Sequence, residues 1–278
     1  MNETYTRLEG KDVGETSLIL VGVHGDERCG IEAIEKLLPN LEIMCGTVLV
    51  EYGNPRAIGQ KKRFTESNLN RMFKDDATLT SKEKSSYEYK RAQYLKTLLQ
   101  QADVLLDVHA SFTLASKAFL ICEANAYHLA AKLPFDTVVS GFDDVEPGGT
   151  DYYMNFIGKV GISAECGSLE DPAATERAAD VIVNFLRARG HIPEALKLPD
   201  LSQSYIRMHT LYLTETSEFE LSRPFADFDS ISKGEIIGID GVQTIRADDD
   251  CIILFARNPN EAGGEAFLLG KRKTAEEI

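Results

Sequence analysis

The first two-thirds of the chain alternates strand-like and helix-like segments, and this rhythm restricts its fold more than any other feature. Aliphatic runs such as residues 18–23 and 104–108 are typical of buried strands. Residues 30–38 instead repeat apolar side chains every three to four positions, as a helix that packs on one face does. Strands that alternate with helices predict an α/β fold with a mixed or largely parallel sheet. The predicted strands are residues 18–23, 47–52, 104–108, 118–122, 138–140 and 161–165, and the predicted helices are residues 30–38, 81–101, 124–132 and 172–189.

The rhythm changes after about residue 200. A strand is predicted over residues 211–219, and short strand-like segments follow it, separated by glycines and by the acidic run at residues 248–250. Closely spaced short strands indicate a small β-barrel or β-sandwich. Two prolines within residues 191–203 mark the linker that precedes it. We therefore predict a main domain over residues 1–200 and a small all-β domain over residues 201–278.

The charge balance narrows the classes of partner. The chain has 278 residues, with 30 Lys and Arg against 44 Asp and Glu, and the formal net charge of −14 argues against nucleic acid or an anionic membrane as a partner. Its apolar runs are too short to cross a bilayer, and its polar first residues do not resemble a secretory signal. Five cysteines, an odd number without a CxxC pair, favour reduced thiols in the cytoplasm. These features are also compatible with a homo-oligomer.

Two histidines stand at the ends of predicted strands. His24 lies in GVHGDERCG, with Glu27 three residues later, and His109 follows the strand at residues 104–108. Either histidine alone is equally compatible with a hydrogen-bonded core or capping residue. Because ligands of open α/β sheets gather at strand ends, the three side chains together predict a metal site. Zinc fits this set, since it commonly takes three protein ligands and leaves a fourth position for water.

The neighbouring aspartate and the other histidines are expected to stay outside this site. Asp26 would point away from the face that His24 and Glu27 share. The remaining histidines lie in ordinary helical or loop contexts, where a surface or packing role is expected: His128, His191 and His209.

A glutamate ends another predicted strand. In GISAECGS, Glu165 follows apolar residues and precedes Gly167. A carboxylate in this place can serve as general base toward a water that the metal activates. Taken alone, the residue is equally well explained as an exposed glutamate at a strand end.

A basic cluster stands out in this acidic chain. It consists of Arg56, Lys61, Lys62, Arg63 and Arg71. A run such as KKR is ordinarily solvated surface. This cluster, however, follows a strand end and continues through NLNR, where the arginine fork can pair with a carboxylate and asparagine can add an amide donor. The pattern favours a small anionic substrate over nucleic acid.

Taken in order, these motifs resemble the succinylglutamate desuccinylase/aspartoacylase family of the zinc carboxypeptidase clan. GVHGDERCG fits the pattern GxHGxExxG, and NPRA, Arg63 and NLNRMF are similar to NPxA…R…DLNRxF. DVH and AECG then follow in the expected order. The match spans about residues 18–170, and the β-rich tail resembles the small C-terminal domain of the family. The resemblance implies a carboxypeptidase-like α/β/α sandwich with a mixed sheet and a small C-terminal all-β domain.

The resemblance also implies roles for individual residues. The implied ligands of one Zn²⁺ per chain are His24, Glu27 and His109. Glu165 is the implied general base and later proton donor, and Arg63 the residue that polarises the scissile carbonyl and stabilises its oxyanion. Asn70 and Arg71 are the implied pair that binds a substrate carboxylate. The expected activity is hydrolysis of the amide bond of an N-acyl amino acid, with that small anionic molecule as the partner.

Three features depart from the family pattern. Asn68 stands where the family has the aspartate of DLNR, which removes a negative charge and would weaken a role in orienting the site. The loops after His109 and before Glu165 do not match the substrate-reading loops of either named enzyme, and the chain is short for the family. In the second loop, Tyr152 or Tyr153 is a candidate to line the pocket, with packing as the alternative. The alternative functions are a zinc esterase or carboxypeptidase-like peptidase using the same site, and a metal- or ligand-binding protein that has lost catalysis.

Overall fold

A computed structural model of the protein describes residues 5–113, 116–193, 202–274 and 277. The alternation of strands and helices predicted for the first two-thirds is confirmed. The strands are β1 (Thr6–Glu9), β2 (Asp12–Val21), β3 (Cys45–Tyr52), β4 (Val104–Ser111), β5 (Phe119–Ile121), β6 (Thr137–Ser140), β7 (Val160–Ser168), β8 (Ser204–Leu213), β9 (Phe219–Leu221), β10 (Ser230–Ile231), β11 (Ile236–Asp240), β12 (Gln243–Arg246), β13 (Cys251–Leu254) and β14 (Glu265–Arg272). The α-helices are α1 (Arg28–Leu37), α2 (Pro55–Gln60), α3 (Ser81–Ser85), α4 (Tyr87–Leu99), α5 (Tyr127–Ala130), α6 (Phe142–Val145), α7 (Thr150–Phe156) and α8 (Ala174–Ala188).

One large mixed sheet runs through the molecule. Its eleven strands lie in the order β1-β3-β2-β4-β7-β5-β6-β8-β14-β13-β10. The central strands β3, β2, β4 and β7 are parallel, so that their carboxyl ends lie at one edge of the sheet. Strand β5 runs antiparallel to β7, and β1 runs antiparallel to β3. The predicted mixed sheet is therefore confirmed.

Helices cover both faces of this sheet. Along β2, Ile19 and Val21 pack in the apolar core that contains α1 and α8, whereas Leu18 and Leu20 pack in a second core with α4. Successive side chains of a strand point to opposite faces, and both faces of β2 are covered. Its aliphatic run is therefore continuous, as expected of a strand buried on two sides. The predicted α/β/α sandwich is confirmed.

The elements after residue 201 are strands in the part of the chain that the structure describes. Strand β8 pairs with β6, and β14, β13 and β10 continue the large sheet from it. Strands β9, β11 and β12 form a separate antiparallel sheet, whose Phe219, Ile237 and Ile245 pack against Ile253 and Phe267 of the large sheet. The C-terminal region is thus all-β, as predicted. Because its strands also extend the main sheet, the division at residue 200 stays a prediction.

Two predicted elements differ from the structure. The helix expected over residues 81–101 is two helices, because Ser86 has an extended backbone and caps α4 through its side chain, which accepts from Tyr89 N. The strand expected over residues 211–219 is the end of β8 and the start of β9, with a turn between them. The predicted linker at residues 191–203 lies largely outside the described residues.

Candidate metal centre and active-site cavity

The site lies at the carboxyl edge of the parallel strands. His24 and Glu27 occupy the turn between β2 and α1, and Glu27 is the N-cap residue of α1. The turn begins at Gly22, whose φ of +66° favours glycine. It also packs against the start of α2, where a Cβ on Gly25 would lie 2.1 Å from the carbonyl carbon of Ala57. Glycines thus allow the turn that places His24 beside Glu27.

His109 does not follow its strand, as the sequence predicted, but lies within it. Strand β4 continues to Ser111, and His109 pairs in register with Glu165, which likewise lies inside β7. The strands are longer than their aliphatic runs because backbone pairing continues where the side chains become polar. The two predicted residues therefore stand side by side on neighbouring strands.

The structure brings the three predicted metal ligands together. Nδ1 of His24 lies 2.7 Å from Oε1 of Glu27, and Nδ1 of His109 lies 2.8 Å from Oε2. The three side chains are almost fully buried, with 1–3% of each residue exposed. One ligand atom from each residue lies within 4.8 Å of the others. This is the donor set and spacing of a cation site.

The outer nitrogen of each ring lies close to a side-chain oxygen. Nε2 of His24 lies 3.0 Å from the side-chain oxygen of Asn68. That atom accepts from Asn70 N as well, so it is the amide oxygen, and Nε2 of His24 must donate to it. Nε2 of His109 lies 3.0 Å from Oδ2 of Asp107, which is buried in β4. Metal-binding histidines are typically held in this way through their second nitrogen, so the arrangement fits a metal.

Electrostatics favour a neutral ring at His24. Burial and the charge of Arg63 lower the pKa of His24 to about 4. Burial alone would raise the pKa of Glu27, but the charges of His24 and His109 outweigh burial and hold it well below its usual range. Burial alone would lower the pKa of His109, but Asp107 and Glu27 outweigh burial and raise it. Glu27 is thus an ionised carboxylate between two imidazoles.

Glu165 has the environment of an acid–base group. It is 8% exposed, and its Oε2 has no hydrogen-bond partner among the residues that the structure describes. Burial raises the pKa of Glu165 to about 8; Glu27 and Asp227 add to the increase, and His109 and Arg63 oppose it. A carboxyl group that changes protonation near neutral pH can both accept and return a proton.

Arg63, the predicted oxyanion-stabilising residue, lies beside the cluster of His24, Glu27 and His109. Its Nη1 donates to Oε1 of Glu27 over 2.9 Å, and 29% of its side chain is exposed. Its guanidinium also lies 5.6 Å from the ring centre of Phe112. The other members of the basic cluster do not enter the site: Lys61 and Lys62 are exposed, and Arg56 pairs with Glu66.

Asn70 and Arg71 lie on the short 3-10 turn Leu69–Arg71, which Asn68 caps. The side-chain oxygen of Asn70 accepts from Thr150 N over 3.3 Å. The guanidinium of Arg71 binds both carboxylate oxygens of Glu265 and also contacts Glu146. The predicted carboxylate-binding arginine therefore already holds internal carboxylates.

One cavity connects these groups. All seven predicted site residues line it. Sequence reasoning missed several others that line the cavity too, among them Phe112, Asp143, Glu146, Arg257 and Glu265. Tyr152 lines the cavity, whereas Tyr153 packs in the core beside Phe73. Of the other histidines, His128 and His209 are exposed, and His191 is buried and hydrogen-bonded to Ser17, as expected for surface and packing roles.

The missed residues differ in how far the sequence could have indicated them. Asp107, the missed partner of His109, could have been noticed, because it is a charged residue inside the aliphatic run at residues 104–108. Glu265 could not have been, because its partner Arg71 is 194 residues away in the chain.

The fold and the cluster define an α/β protein with a buried His–Glu–His group that could hold a cation and that faces a cavity. A family profile described as the succinylglutamate desuccinylase/aspartoacylase catalytic domain matches residues 13–189. The chain belongs to this family of deacylases.

Individual relatives agree with the family. The succinylglutamate desuccinylase of Vibrio vulnificus (strain YJ016) is 25% identical over 92% of this chain and 80% of its own length. The N-alpha-acetyl-L-2,4-diaminobutyric acid deacetylase of Halomonas elongata is 28% identical over 81% of this chain and 70% of its own length. The crystal structure of succinylglutamate desuccinylase from Vibrio cholerae superimposes with a TM-score of 0.80 at 20% identity, over 99% of this chain and 88% of that one. This last likeness concerns the fold.

The helices and the cysteines bear on where the protein resides. None of the described helices is both long and apolar enough to span a bilayer. The cysteines at positions 29, 45, 122, 166 and 251 are all unpaired.

Proposed function

We propose that the protein is a zinc-dependent hydrolase that cleaves the amide bond of an N-acyl amino acid. The observation that carries this proposal is the buried His24, Glu27 and His109 cluster with Glu165 beside it on the neighbouring strand. Family membership supports a deacylase, and the two relatives named for their substrates support an acylated amino acid.

The donor set favours zinc. Two imidazoles and one carboxylate are a common ligand set of catalytic zinc, which keeps a further position open. Because Nε2 of His24 carries the proton, the lone pair on its Nδ1 can bind the ion. Asp107 lies against the other nitrogen, Nε2, of the His109 ring. We assign one Zn²⁺ per chain to these three ligands. When bound, zinc would polarise the scissile carbonyl and increase the acidity of water.

The chain's own residues perform the proton transfers. Glu165 removes a proton from the attacking water and later passes it to the leaving amine. Burial raises the pKa of this carboxyl, which favours uptake of the proton from water, and the same proton is then available to the leaving amine. Arg63 stabilises the negative charge that develops on the carbonyl oxygen, since a charge-assisted donor is most effective where charge builds up. Its contact with Glu27 places it at the edge of the cluster.

Asn70 and Arg71 bind the carboxylate of the substrate. They lie in the same cavity as the metal ligands, on a turn that Asn68 holds. A guanidinium fork fits a carboxylate at two points, so it would orient a small anionic acyl-amino acid. The five unpaired cysteines support a reducing compartment, and we propose the cytoplasm.

The test is a hydrolysis screen of the purified, zinc-loaded protein. N-succinylglutamate, N-acetylaspartate, N-acetyl-2,4-diaminobutyrate and other N-acyl amino acids are assayed for release of the free amine. We expect hydrolysis of at least one of them, its loss after chelation and its return with zinc. Tight binding of these compounds without zinc-dependent release of amine would contradict the proposal.

A further inference from the structure

The guanidinium of Arg71 has its donors engaged. Its Nε and Nη2 donate to the two carboxylate oxygens of Glu265 over 2.8 and 3.1 Å, and Nη1 donates to its neighbour Asn70 O over 2.8 Å. Nη2 also lies 2.5 Å from Oε1 of Glu146. The two-point fork, which a substrate carboxylate would require, is thus filled by a residue of the C-terminal region.

A second arginine holds the same carboxylate from the other side. Nη2 of Arg257 donates to Oε2 of Glu265 over 2.7 Å, and its Nε donates to the backbone oxygen of Glu265 over 2.7 Å. The carboxylate of Glu265 therefore contacts two guanidinium groups, one from the turn Leu69–Arg71 and one from the loop between β13 and β14. Paired arginines around one carboxylate are the geometry of a carboxylate-binding site.

Arg257 belongs to the active-site cavity. Its guanidinium lies 5.0 Å from the ring centre of Phe112, whose ring also contacts Arg63 at 5.6 Å. The ring of Phe112 therefore contacts both Arg257 and Arg63, which lies beside the His24–Glu27–His109 cluster. The walls of one cavity hold both.

We infer that Arg71 and Arg257 together form the carboxylate subsite of the substrate, and that Glu265 fills this subsite until the substrate carboxylate displaces it. Glu265 is thus a specificity-determining residue, because only a ligand whose carboxylate reaches both guanidinium groups can take its place. The inference rests on the proposed function for the identity of the ligand as a carboxylate-bearing acyl-amino acid.

Glu265 lies at a strand end and is partly exposed. It is the first residue of β14, it follows Gly263 and Gly264, and 25% of its side chain is exposed. Its neighbour Glu146 hydrogen-bonds to it, and burial raises the pKa of Glu146 to about 7, although Arg71 opposes that increase. Burial would also raise the pKa of Glu265, but the charge and hydrogen bonds of Arg71 bring it to about 2. Glu265 therefore supplies the negative charge of the pair, which is the charge that an incoming carboxylate would replace.

The test measures binding of succinate, a small dicarboxylate, to the zinc-loaded protein by calorimetry. Glu265→Gln is compared with the unaltered protein and with the double variant Glu265→Gln/Arg257→Met. The matched control is Glu235→Gln, which removes a surface glutamate that also pairs with an arginine, Arg223. We expect Glu265→Gln to bind succinate at least roughly tenfold more tightly, as the loss of one competing charged contact permits. The control should match the unaltered protein.

The double variant identifies the second guanidinium. If the gain in succinate affinity disappears when Arg257 is also replaced, the subsite is as inferred. No gain in Glu265→Gln, or a gain that persists without Arg257, would overturn the inference. If Glu265→Gln melts below the assay temperature, Glu265→Asp is measured instead, because its shorter side chain keeps the charge and loosens the contact. A gain in succinate affinity that requires Arg257 then supports the inference, and the absence of such a gain overturns it. A gain in succinate affinity in a protein without hydrolysis would refute the proposed function alone, and hydrolysis without the gain would refute this inference alone.

Discussion

At the scale of single residues, the Nε2 atoms of the two histidines in the cluster face different partners. An amide oxygen, that of Asn68, faces His24, and a carboxylate, that of Asp107, faces His109. The contact of Asn68 is 3.0 Å long, so the orienting contact remains although the charge of the family's aspartate is absent. The charged partner in this chain is Asp107, which is 0% exposed and also accepts from Thr150 Oγ1 over 2.5 Å.

Replacing Asp107 should weaken metal binding. Asp107→Asn removes the charge that faces Nε2 of His109, and we expect zinc affinity to fall roughly 10- to 100-fold, the usual effect of losing such a partner. Competition with a chelator measures the affinity. Asp180→Asn is the control, because Asp180 is exposed on α8. Equal affinities of the two variants would show that Asp107 has no part in holding the ligand.

The sequence predicted the metal ligands and Glu165 because each stands at or near the end of an aliphatic run, where parallel strands bring side chains together. It could not predict Arg257 and Glu265. Their contacts with the cavity depend on how distant strands pair, and the residues next to them in the chain carry no pattern that reports this pairing. Asp107 lay within the recognised DVH motif, and its charge in a buried strand was the overlooked signal.

At the scale of elements, a buried carboxylate of α4 fixes the loop that carries Arg63 and Arg71. Glu88 is 0% exposed and accepts hydrogen bonds from the backbone N–H groups of Thr65, Glu66 and Ser67. It also accepts from Thr65 Oγ1 over 2.7 Å. Burial would raise the pKa of Glu88, but the bonds from Thr65 outweigh it and lower the pKa. One helix thus holds the loop between two predicted site residues.

Loss of this carboxylate should loosen the loop. Glu88→Gln replaces an acceptor of several N–H groups by an amide with one oxygen, and we expect the free energy of unfolding to fall by about 1.5–3 kcal/mol. Urea unfolding measures it. Glu35→Gln, an exposed position on α1, should change stability by less than about 0.5 kcal/mol. A Glu88→Gln variant as stable as that control would show that the loop is held by other contacts.

The same helix shows where periodicity fails as a predictor. Residues 81–101 have helical composition throughout, but Thr80 and Ser86 both act as N-caps, so the chain forms two helices, α3 and α4. Serine competes for backbone N–H groups and can begin a helix where composition alone predicts continuation. The short helices α2, α6 and α7 were not predicted, because one or two turns contain too little periodicity to detect.

At the scale of the whole molecule, the C-terminal region contributes to the cavity as well as to the sheet. It brings Arg257 from a loop and Glu265 from the start of β14 to the cavity wall. Its Asp227, whose charge adds to the raised pKa of Glu165, accepts from Ser116 Oγ over 2.5 Å and from Phe255 N over 2.9 Å. Changes in sequence rhythm revealed the β-rich region. They did not reveal that β8 and β14 extend the main sheet, because strand pairing depends on contacts between residues far apart in the chain.

The burial of Glu146, beside the C-terminal Glu265, should make stability depend on pH. Burial raises the pKa of Glu146 from its ordinary 4.5 to about 7. Between these values the folded protein binds more protons than the unfolded chain, so this contribution to stability is complete below about pH 4.5 and is lost as the pH rises through 7. Glu146→Gln cannot lose a proton. The melting temperature of this variant minus that of the unaltered protein should therefore increase from about pH 5 to about pH 8.

The control for that measurement is Glu220→Gln, an exposed position on β9. Its difference in melting temperature from the unaltered protein should stay constant over the same range. A Glu146→Gln difference that is equally constant would mean that Glu146 is ionised throughout and that the pair shares no proton.

The most direct test of the central claim is the turnover number of Glu165→Gln on the best substrate from the hydrolysis screen, measured together with zinc content. Glutamine keeps the size of the side chain but can neither accept the proton of water nor return it to the leaving amine. We expect kcat to fall by about 10²- to 10⁴-fold, while zinc stays near one ion per chain. A zinc-loaded Glu165→Gln variant with the kcat of the unaltered protein would contradict the assignment of Glu165, and with it the proposed chemistry of the site.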